Sequence, residues 1–268
     1  MSTLARIARD ACALARRAGA AILEVYAGSF AVETKSDNSP LTAADMASHR
    51  LIVAGLRELT PDIPVLSEES KDLGWNVRRA WDRYWLVDPL DGTREFIKRN
   101  GEFTVNIALI ENHVPVLGIV LVPVTGELYY GLAGEAAFLE AAPGALPQPI
   151  TTRKAARVPV VAGSRSHGSE RQAALLAHLG GYTLIPVGSS IKFCMVARGD
   201  ADLYLRLGPT SEWDTAAAQC VLEQAGGAVV DLRGESLRYN AKDSLLNPEF
   251  LALGDRSVDW LAGLGLRS

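Results

Sequence analysis

The stretch Tyr84-Trp85-Leu86-Val87-Asp88-Pro89-Leu90-Asp91-Gly92-Thr93 decides most about the fold. Four apolar residues in a row read as a buried strand, and the run stops abruptly at an acid. Pro89 fixes its own φ and bars a regular continuation, so the chain is expected to turn and let the carboxylates of Asp88 and Asp91 converge. Gly92-Thr93 then lead into Arg94-Glu95-Phe96-Ile97, a short helix whose free N–H groups would offer an anion-binding end. Strand ends are where α/β folds place ligand chemistry. With no His or Cys nearby, the acids suit a hard cation with oxygen ligands, Mg²⁺ before Zn²⁺. A cation site, helix N–H groups and the Thr93 hydroxyl in one short stretch point to phosphoryl hydrolysis. Alone, Asp-Pro-x-Asp-Gly is also ordinary turn sequence, so the rest of the chain has to decide.

Upstream, Leu4, Ile7, Ala11, Leu14, Ala18, Ile22 and Val25 recur at helical spacing and predict an amphipathic first helix rather than a signal peptide. Ala31–Lys35 reads as a strand and residues 36–40 as a turn. Thr42 is placed to cap a helix running to about Leu59. Ile63–Leu66 is a second short strand, ending in Ser67-Glu68-Glu69-Ser70. Downstream, Thr104–Ile110 and Val114–Val122 read as a hairpin around Glu111-Asn112-His113, and Tyr129–Leu139 continues the sheet. The Ala-, Pro- and Gly-rich stretch 141–149 divides the chain into halves 1–145 and 146–268 within one compact unit. Beyond it strands and helices alternate, and Glu212-Trp213-Asp214-Thr215 opens the last long helix. The expected class is therefore α/β, an α+β layering with mixed sheets.

Composition narrows the function. The chain has 268 residues, 27 Lys+Arg against 31 Asp+Glu, and no basic block, a poor profile for a nucleic-acid polymer. Three cysteines, far apart and without a CxxC pair, argue against a disulfide scaffold. The longest apolar run, Val114 to Val124, is too short to span a bilayer.

Ser67-Glu68-Glu69-Ser70, Asp88-Pro-Leu-Asp91-Gly-Thr93 and Trp213-Asp214-Thr-Ala-Ala together resemble the signatures of the inositol monophosphatase superfamily, Mg²⁺-dependent and lithium-sensitive phosphomonoesterases. Lys35-Ser-Asp37-Asn-Ser-Pro40-Leu-Thr42 with Ala44-Asp45 fits the family's early segment, so the resemblance covers nearly the whole chain. It implies the αβαβα sandwich shared with fructose bisphosphatases. It implies that Glu68, Asp88 and the backbone carbonyl of Leu90 hold one Mg²⁺, and that Asp88, Asp91 and Asp214 hold a second. A third, weaker Mg²⁺ would bind through Glu68 and water. Thr93, paired with Asp45, would orient or deprotonate the attacking water. Glu68, Leu90, Asp91, Gly92, Thr93 and Asp214 would also line the bound substrate.

Metal ligands do not choose a substrate. Val187-Gly-Ser189-Ser190-Ile-Lys192-Phe-Cys194 resembles the corresponding segment of the family's 3′(2′),5′-bisphosphate nucleotidase branch. A second substrate phosphate needs a further cation, and Lys192 beside Ser190 is the candidate. Glu212 either meets a ribose hydroxyl or serves as a first-turn helix acid. The resemblance implies removal of the 3′-phosphate of adenosine 3′,5′-bisphosphate to give AMP, action on 3′-phosphoadenylyl sulfate, and a place beside sulfate assimilation. The alternatives are an inositol or sugar monophosphatase and a catalytically silent nucleotide- or metal-binding regulator. The unpaired cysteines fit a cytoplasmic location, and the resemblance leaves peripheral association at the inner face of the membrane open. Oligomeric state is written in no motif.

Overall fold

Each long strand of the first half alternates two sets of apolar residues, so its sheet needs cover on both faces. The structure, a computed structural model, describes residues 3–29, 31–34, 40–70, 73–164 and 169–267. Residues 35–39 of the early segment lie outside the described residues. The chain opens with helix α1 (Thr3–Ala27), a hairpin of β1 (Val32–Thr34) and β2 (Pro40–Thr42), and helix α2 (Ala43–Leu59). Next come β3 (Val65–Ser67), the short α3 (Trp75–Arg78), β4 (Arg83–Asp91), the short α4 (Thr93–Ile97) and β5 (Thr104–Glu111). A meander of β6 (Val114–Leu121), β7 (Leu128–Leu132), β8 (Ala137–Glu140) and β9 (Gln148–Ile150) completes the first sheet. Its order is β3-β4-β5-β6-β7-β8-β9, parallel at β3/β4 and antiparallel elsewhere. Because β9 pairs with β8, residues 141–149 still belong to this sheet's edge, and the chain crosses to the second sheet after Ile150.

The second sheet is built from β10 (Val160–Ser164), α5 (Glu170–Ala177), β11 (Thr183–Val187), α6 (Ile191–Ala197) and β12 (Leu203–Arg206). Helix α7 (Glu212–Gln224), β13 (Ala228–Asp231), β14 (Phe250–Leu253) and α8 (Trp260–Gly263) follow. The order is β11-β10-β12-β14-β13, parallel around β10 and antiparallel at β14. Both sheets are mixed, as expected.

Side-chain alternation assigns the layers. Val105, Ile107 and Leu109 of β5 face α1 and α2, packing with Ile22, Ile52 and Leu56. Ala108 and Ile110 face the other way, into a core shared with Val196 of α6, Val221 of α7 and Phe250 of the second sheet. The far side of that sheet is covered by α5 and α8 through Leu176, Trp260 and Leu264. The result is an α-β-α-β-α sandwich with α6 and α7 between the sheets. Among the described residues no helix is long and apolar enough to cross a membrane.

Strand register explains how close α7 comes. Ala108, Gly118, Gly131 and Ala137 are successive cross-strand partners on β5, β6, β7 and β8. This row of small residues lies beneath α7, whose inner face is itself small: Ala217 and Cys220. A Cβ on Gly118 would stand 2.1 Å from the Ala217 carbonyl oxygen and 2.7 Å from Cys220 Cβ. That obstacle is backbone, so it cannot swing aside. Gly118→Ala is therefore expected to lower stability by about 1–3 kcal/mol through overpacking. Because α7 carries Asp214, the same variant should weaken Mg²⁺-induced thermal stabilisation. Unchanged melting by denaturant would show that α7 has room to shift.

Candidate active site

The strand carrying Asp88 and Asp91 does not turn at Pro89. β4 runs on to Asp91, against the sequence expectation, and the irregularity is a bulge instead. Asp88 pairs with Asn106 and Asp91 with Thr104, so three steps on β4 oppose two on β5. Residues three apart on a regular strand point to opposite faces; one extra residue puts both acids on the same side. Pro89, with no N–H to lose from the ladder, suits the interruption. Gly92 follows at φ 93°, left-handed, and starts α4. That helix spans five residues, so it offers a few N–H groups rather than a sizeable dipole.

From the opposite direction, the first turn of α7 brings Asp214. Its Oδ2 accepts from the Ser211 backbone N–H at 2.8 Å, closing a capping box. Asp88, Asp91 and Asp214 each offer a carboxylate oxygen within 4.8 Å of the others. They line a cleft of about 310 Å³ together with Glu68, Leu90, Gly92, Thr93, Ser190 and Lys192. Sequence-distant acids are thus joined by a bulge on one sheet and a helix start from the other half.

Electrostatics show what the cluster lacks. Burial first, then the charges of Glu68, Asp91 and Asp214, push the Asp88 carboxyl well above the usual range. Asp214 is raised the same way, by burial and then by Asp91 and Glu68. Burial also raises Asp91, with Lys192 as the chief opposing charge. Converging desolvated carboxylates are costly unless a cation joins them. An all-oxygen donor set with no His or Cys fits a hard divalent ion such as Mg²⁺. The residues present therefore fit the metal that the sequence reading implied.

Thr93 Oγ1 donates toward Asp45 Oδ1 at 3.3 Å and lies 3.4 Å from the Leu90 carbonyl oxygen. Asp45 is 1% exposed, and its Oδ2 already accepts from Thr42 N–H and Thr42 Oγ1, both at 2.7 Å. Like Asp214, Asp45 is the third residue of a capped helix; its Oδ1 is turned to Thr93. The expected Thr93–Asp45 pairing is thus present in the geometry.

Several neighbours escaped the sequence reading. Thr104 Oγ1 lies 2.8 Å from Ser190 Oγ and 3.4 Å from Asp91 Oδ2. Asn106 Oδ1 accepts from Ser190 Oγ at 2.8 Å. Their signal was available: polar residues alternating with Val105 and Ile107 on an otherwise apolar strand. Ser190 also donates its backbone N–H to Asp91 Oδ2 at 2.6 Å, so it fixes a predicted metal ligand. Lys192 is 5% exposed; its Nζ donates to the Val187 carbonyl at 3.2 Å and the Ser189 carbonyl at 2.6 Å. Burial pulls its ammonium down to about 8, against the charge of Asp91. Arg206, on the cleft wall, was not anticipated.

Glu212 is corrected. It is fully buried and is not part of the cleft lining. Its Oε2 accepts from the Asn240 backbone N–H at 2.7 Å, and Lys242 Nζ stands 3.7 Å from Oε1. Burial lifts its carboxyl to about 7, opposed by Asn240, Lys242 and Arg78. The carboxyl thus anchors the 240–242 segment behind α7 instead of meeting a ribose hydroxyl.

An acidic cleft with an all-oxygen donor set in a layered αβαβα sandwich fits the class of metal-assisted phosphate hydrolases. The profile of the inositol monophosphatase family matches residues 3–257, and the chain belongs to that family. The 3′(2′),5′-bisphosphate nucleotidase CysQ of Salmonella typhimurium is 53% identical over 241 residues, 89% of this chain and 96% of the relative. The enzyme of the same name from Haemophilus influenzae is 36% identical over 92% of each chain. The crystal structure of CysQ from Bacteroides thetaiotaomicron superposes with a TM-score of 0.83 at 44% identity, covering 95% of this chain and 98% of that one. An inositol monophosphatase from Anabaena gives 0.79 at 26% identity, covering 100% and 98%.

Proposed function

We propose that the chain is a Mg²⁺-dependent phosphomonoesterase that removes the 3′-phosphate of adenosine 3′,5′-bisphosphate, giving AMP and inorganic phosphate, and that also acts on 3′-phosphoadenylyl sulfate. The observation that carries this reading is the convergence of Asp88, Asp91 and Asp214 beside the Thr93–Asp45 pair in one cleft. The bisphosphate nucleotidases at 53% identity over 89% of the chain choose the substrate.

Glu68, Asp88 and the Leu90 carbonyl would hold one Mg²⁺, Asp88, Asp91 and Asp214 a second, with a third, weaker ion at Glu68. When bound, the ions supply Lewis-acid stabilisation of the charge on the phosphoryl and leaving oxygens and lower the pKa of water. Everything else falls to the chain. Asp45, with one oxygen saturated by Thr42, presents the other to the Thr93 hydroxyl. Thr93 can then accept a proton from the attacking water while passing its own toward Asp45 Oδ1. Ser190 and Thr104 hold Asp91 in place through hydrogen bonds to Oδ2.

Both halves, 1–145 and 146–268, are needed in this reading, because the last ligand and the Gly188–Lys192 segment come from the second. The three buried, unpaired cysteines suit a reducing cytoplasm. The test is phosphate release from adenosine 3′,5′-bisphosphate and from inositol 1-phosphate, side by side, with Mg²⁺ and then with added Li⁺. Preference for the nucleotide, with inhibition by Li⁺, is expected. Preference for inositol phosphate would keep the metal chemistry and discard the substrate; release from neither would leave a silent binding protein.

A further inference from the structure

Resting on the metal assignment above, we propose that the second turn of α2 positions the donor set of the first Mg²⁺. Ser48 acts through the Pro89 carbonyl on the carbonyl of Leu90, and His49 acts through Ser67 on Glu68. Asp45, Ser48 and His49 stand at i, i+3 and i+4 on α2, one face of the helix. Further along, the same face turns apolar, with Ile52 and Leu56 fully buried. A buried hydroxyl and a half-buried imidazole on this inward side need partners. Asp45 meets Thr93; the other two meet the two strand ends that carry metal donors.

The bulge in β4 sets Pro89 and Leu90 against the single residue Val105, outside the regular ladder. Pro89 has no N–H, so its carbonyl and the two polar groups of Leu90 are the ones that need partners. The Pro89 carbonyl accepts from the fully buried Ser48 Oγ at 2.8 Å. The Leu90 N–H donates to Asp88 Oδ1 at 3.0 Å. The planar peptide between Pro89 and Leu90 is thus pinned at its oxygen by α2 and at its nitrogen by a metal ligand. With that plane fixed, so is the start of the next one, whose carbonyl belongs to Leu90. That carbonyl lies 3.4 Å from Thr93 Oγ1, and Leu90 lines the cleft.

Glu68 needs a tether of another kind. It follows β3, an edge strand of three residues whose only ladder partner is β4. Its own N–H donates to the Val87 carbonyl at 3.0 Å, and the chain then turns away. A ladder this short, bonded on one side, opens easily at its end. Ser67, the last residue of the strand, is buried, and its Oγ lies 2.9 Å from His49 Nδ1. Burial, then the charges of Arg50 and Arg57, lowers the imidazole's pKa from its usual value, so it meets Ser67 as a neutral ring. One turn and a half of α2 therefore holds Thr93, the Leu90 carbonyl and Glu68 in register, though each comes from a different segment.

In the intact chain, the Mg²⁺ concentration needed for a given rise in melting temperature follows metal affinity without turnover. His49→Phe and Ser48→Ala are each expected to raise it about 10-fold or more, the usual loss when a group behind a metal ligand is removed. His49→Asn should restore most of the affinity, because its amide still pairs with Ser67 Oγ. Ser67→Ala should match His49→Phe, and the two together should lose no more than either alone. Thr60→Val, at the far end of α2, controls for stability. It removes the hydroxyl that accepts from Trp85 Nε1 at 2.8 Å, and should lower the melting temperature without changing the Mg²⁺ requirement. In turnover, the Mg²⁺ dependence of kcat should move with the same variants, while KM for adenosine 3′,5′-bisphosphate at saturating Mg²⁺ stays near wild type. A Mg²⁺ requirement within about twofold of wild type in both His49→Phe and Ser48→Ala would overturn the proposal and leave the metal assignment standing. An equal shift in Thr60→Val would also overturn it, since lost stability would then account for the effect. The expected shifts in a protein that hydrolyses neither substrate would keep the proposal and remove the substrate assignment. A wild type that Mg²⁺ does not stabilise would overturn both.

Discussion

Asp91→Asn is expected to reduce kcat/KM for adenosine 3′,5′-bisphosphate by at least about 10³-fold, roughly 4 kcal/mol of transition-state stabilisation, while leaving the protein folded. The substitution is nearly isosteric, so packing is preserved. Its chemistry is confined by the partners of Asp91. Ser190 N–H, 2.6 Å from Oδ2, demands an acceptor there, so the new amide keeps its carbonyl toward Ser190. The NH₂ group then takes the place of Oδ1, where it donates rather than ligates. One of three converging charges is gone, and the ion loses both a ligand and part of its electrostatic attraction. Stability without metal should stay level or rise, because like charges within 4.8 Å no longer have to be buried together. Mg²⁺ raises the melting temperature only by binding the folded state, so that rise should vanish in the variant. Activity within tenfold of wild type, or a retained Mg²⁺-induced shift, would remove the acidic cluster as the metal site.

Periodic and local signals were read well from the sequence. The apolar spacing of α1, the Thr42 cap of α2, and the hairpin with Asn112 and His113 at positive φ each depend on residues close in the chain. The convergence of Asp88 and Asp91 was also legible, because Asp-Pro-x-Asp-Gly at a strand end is a local pattern. What stayed hidden depends on register between distant segments. A bulge and a turn share the same Pro89 signature, and only the pairing of β4 with β5 tells them apart. The Ala108-Gly118-Gly131-Ala137 row exists only once four strands are aligned. Glu212 shows the same limit in a side chain. Its place two residues before Asp214 put it in the first turn of the right helix, but α-helical geometry points neighbouring positions in different directions. Lys192 was found for its charge, but the carbonyls that occupy it come from the turn preceding α6.

The second large effect is expected from Arg78, far from the cleft chemistry. Arg78 is 3% exposed and projects from α3 into the 239–243 segment. Its Nη1 donates to Asn240 Oδ1 at 2.7 Å and to the Lys242 carbonyl at 3.2 Å, and its Nη2 donates to the Asp243 carbonyl. Asn240 answers with a bond from Nδ2 to the Arg78 carbonyl at 2.6 Å. Asn240 is fully buried at φ 52°, a conformation its side-chain bonds help to hold. Its N–H in turn satisfies Glu212 at the start of α7, and the Glu212 amide donates to the Leu245 carbonyl. Arg78 therefore clamps the loop that buttresses the helix start bearing Asp214. Arg78→Met preserves much of the aliphatic stem, but loses the guanidinium stacked over Trp75, strands one amide oxygen and two carbonyls, and takes a positive charge away from buried Glu212. Breaking one partner of a buried polar network costs about 3–5 kcal/mol, against about 1 kcal/mol for an exposed pair. For a chain of this size, at about 2 °C per kcal/mol, that is a drop in melting temperature of about 6–10 °C. Arg78→Lys should recover little, since a single ammonium cannot meet three acceptors spread along a loop. Chemical denaturation of both variants measures the loss directly, and Mg²⁺ titration of the folded fraction reports whether Asp214 has moved. A loss below about 1 kcal/mol would mean that water replaces the guanidinium and that the loop holds α7 without it.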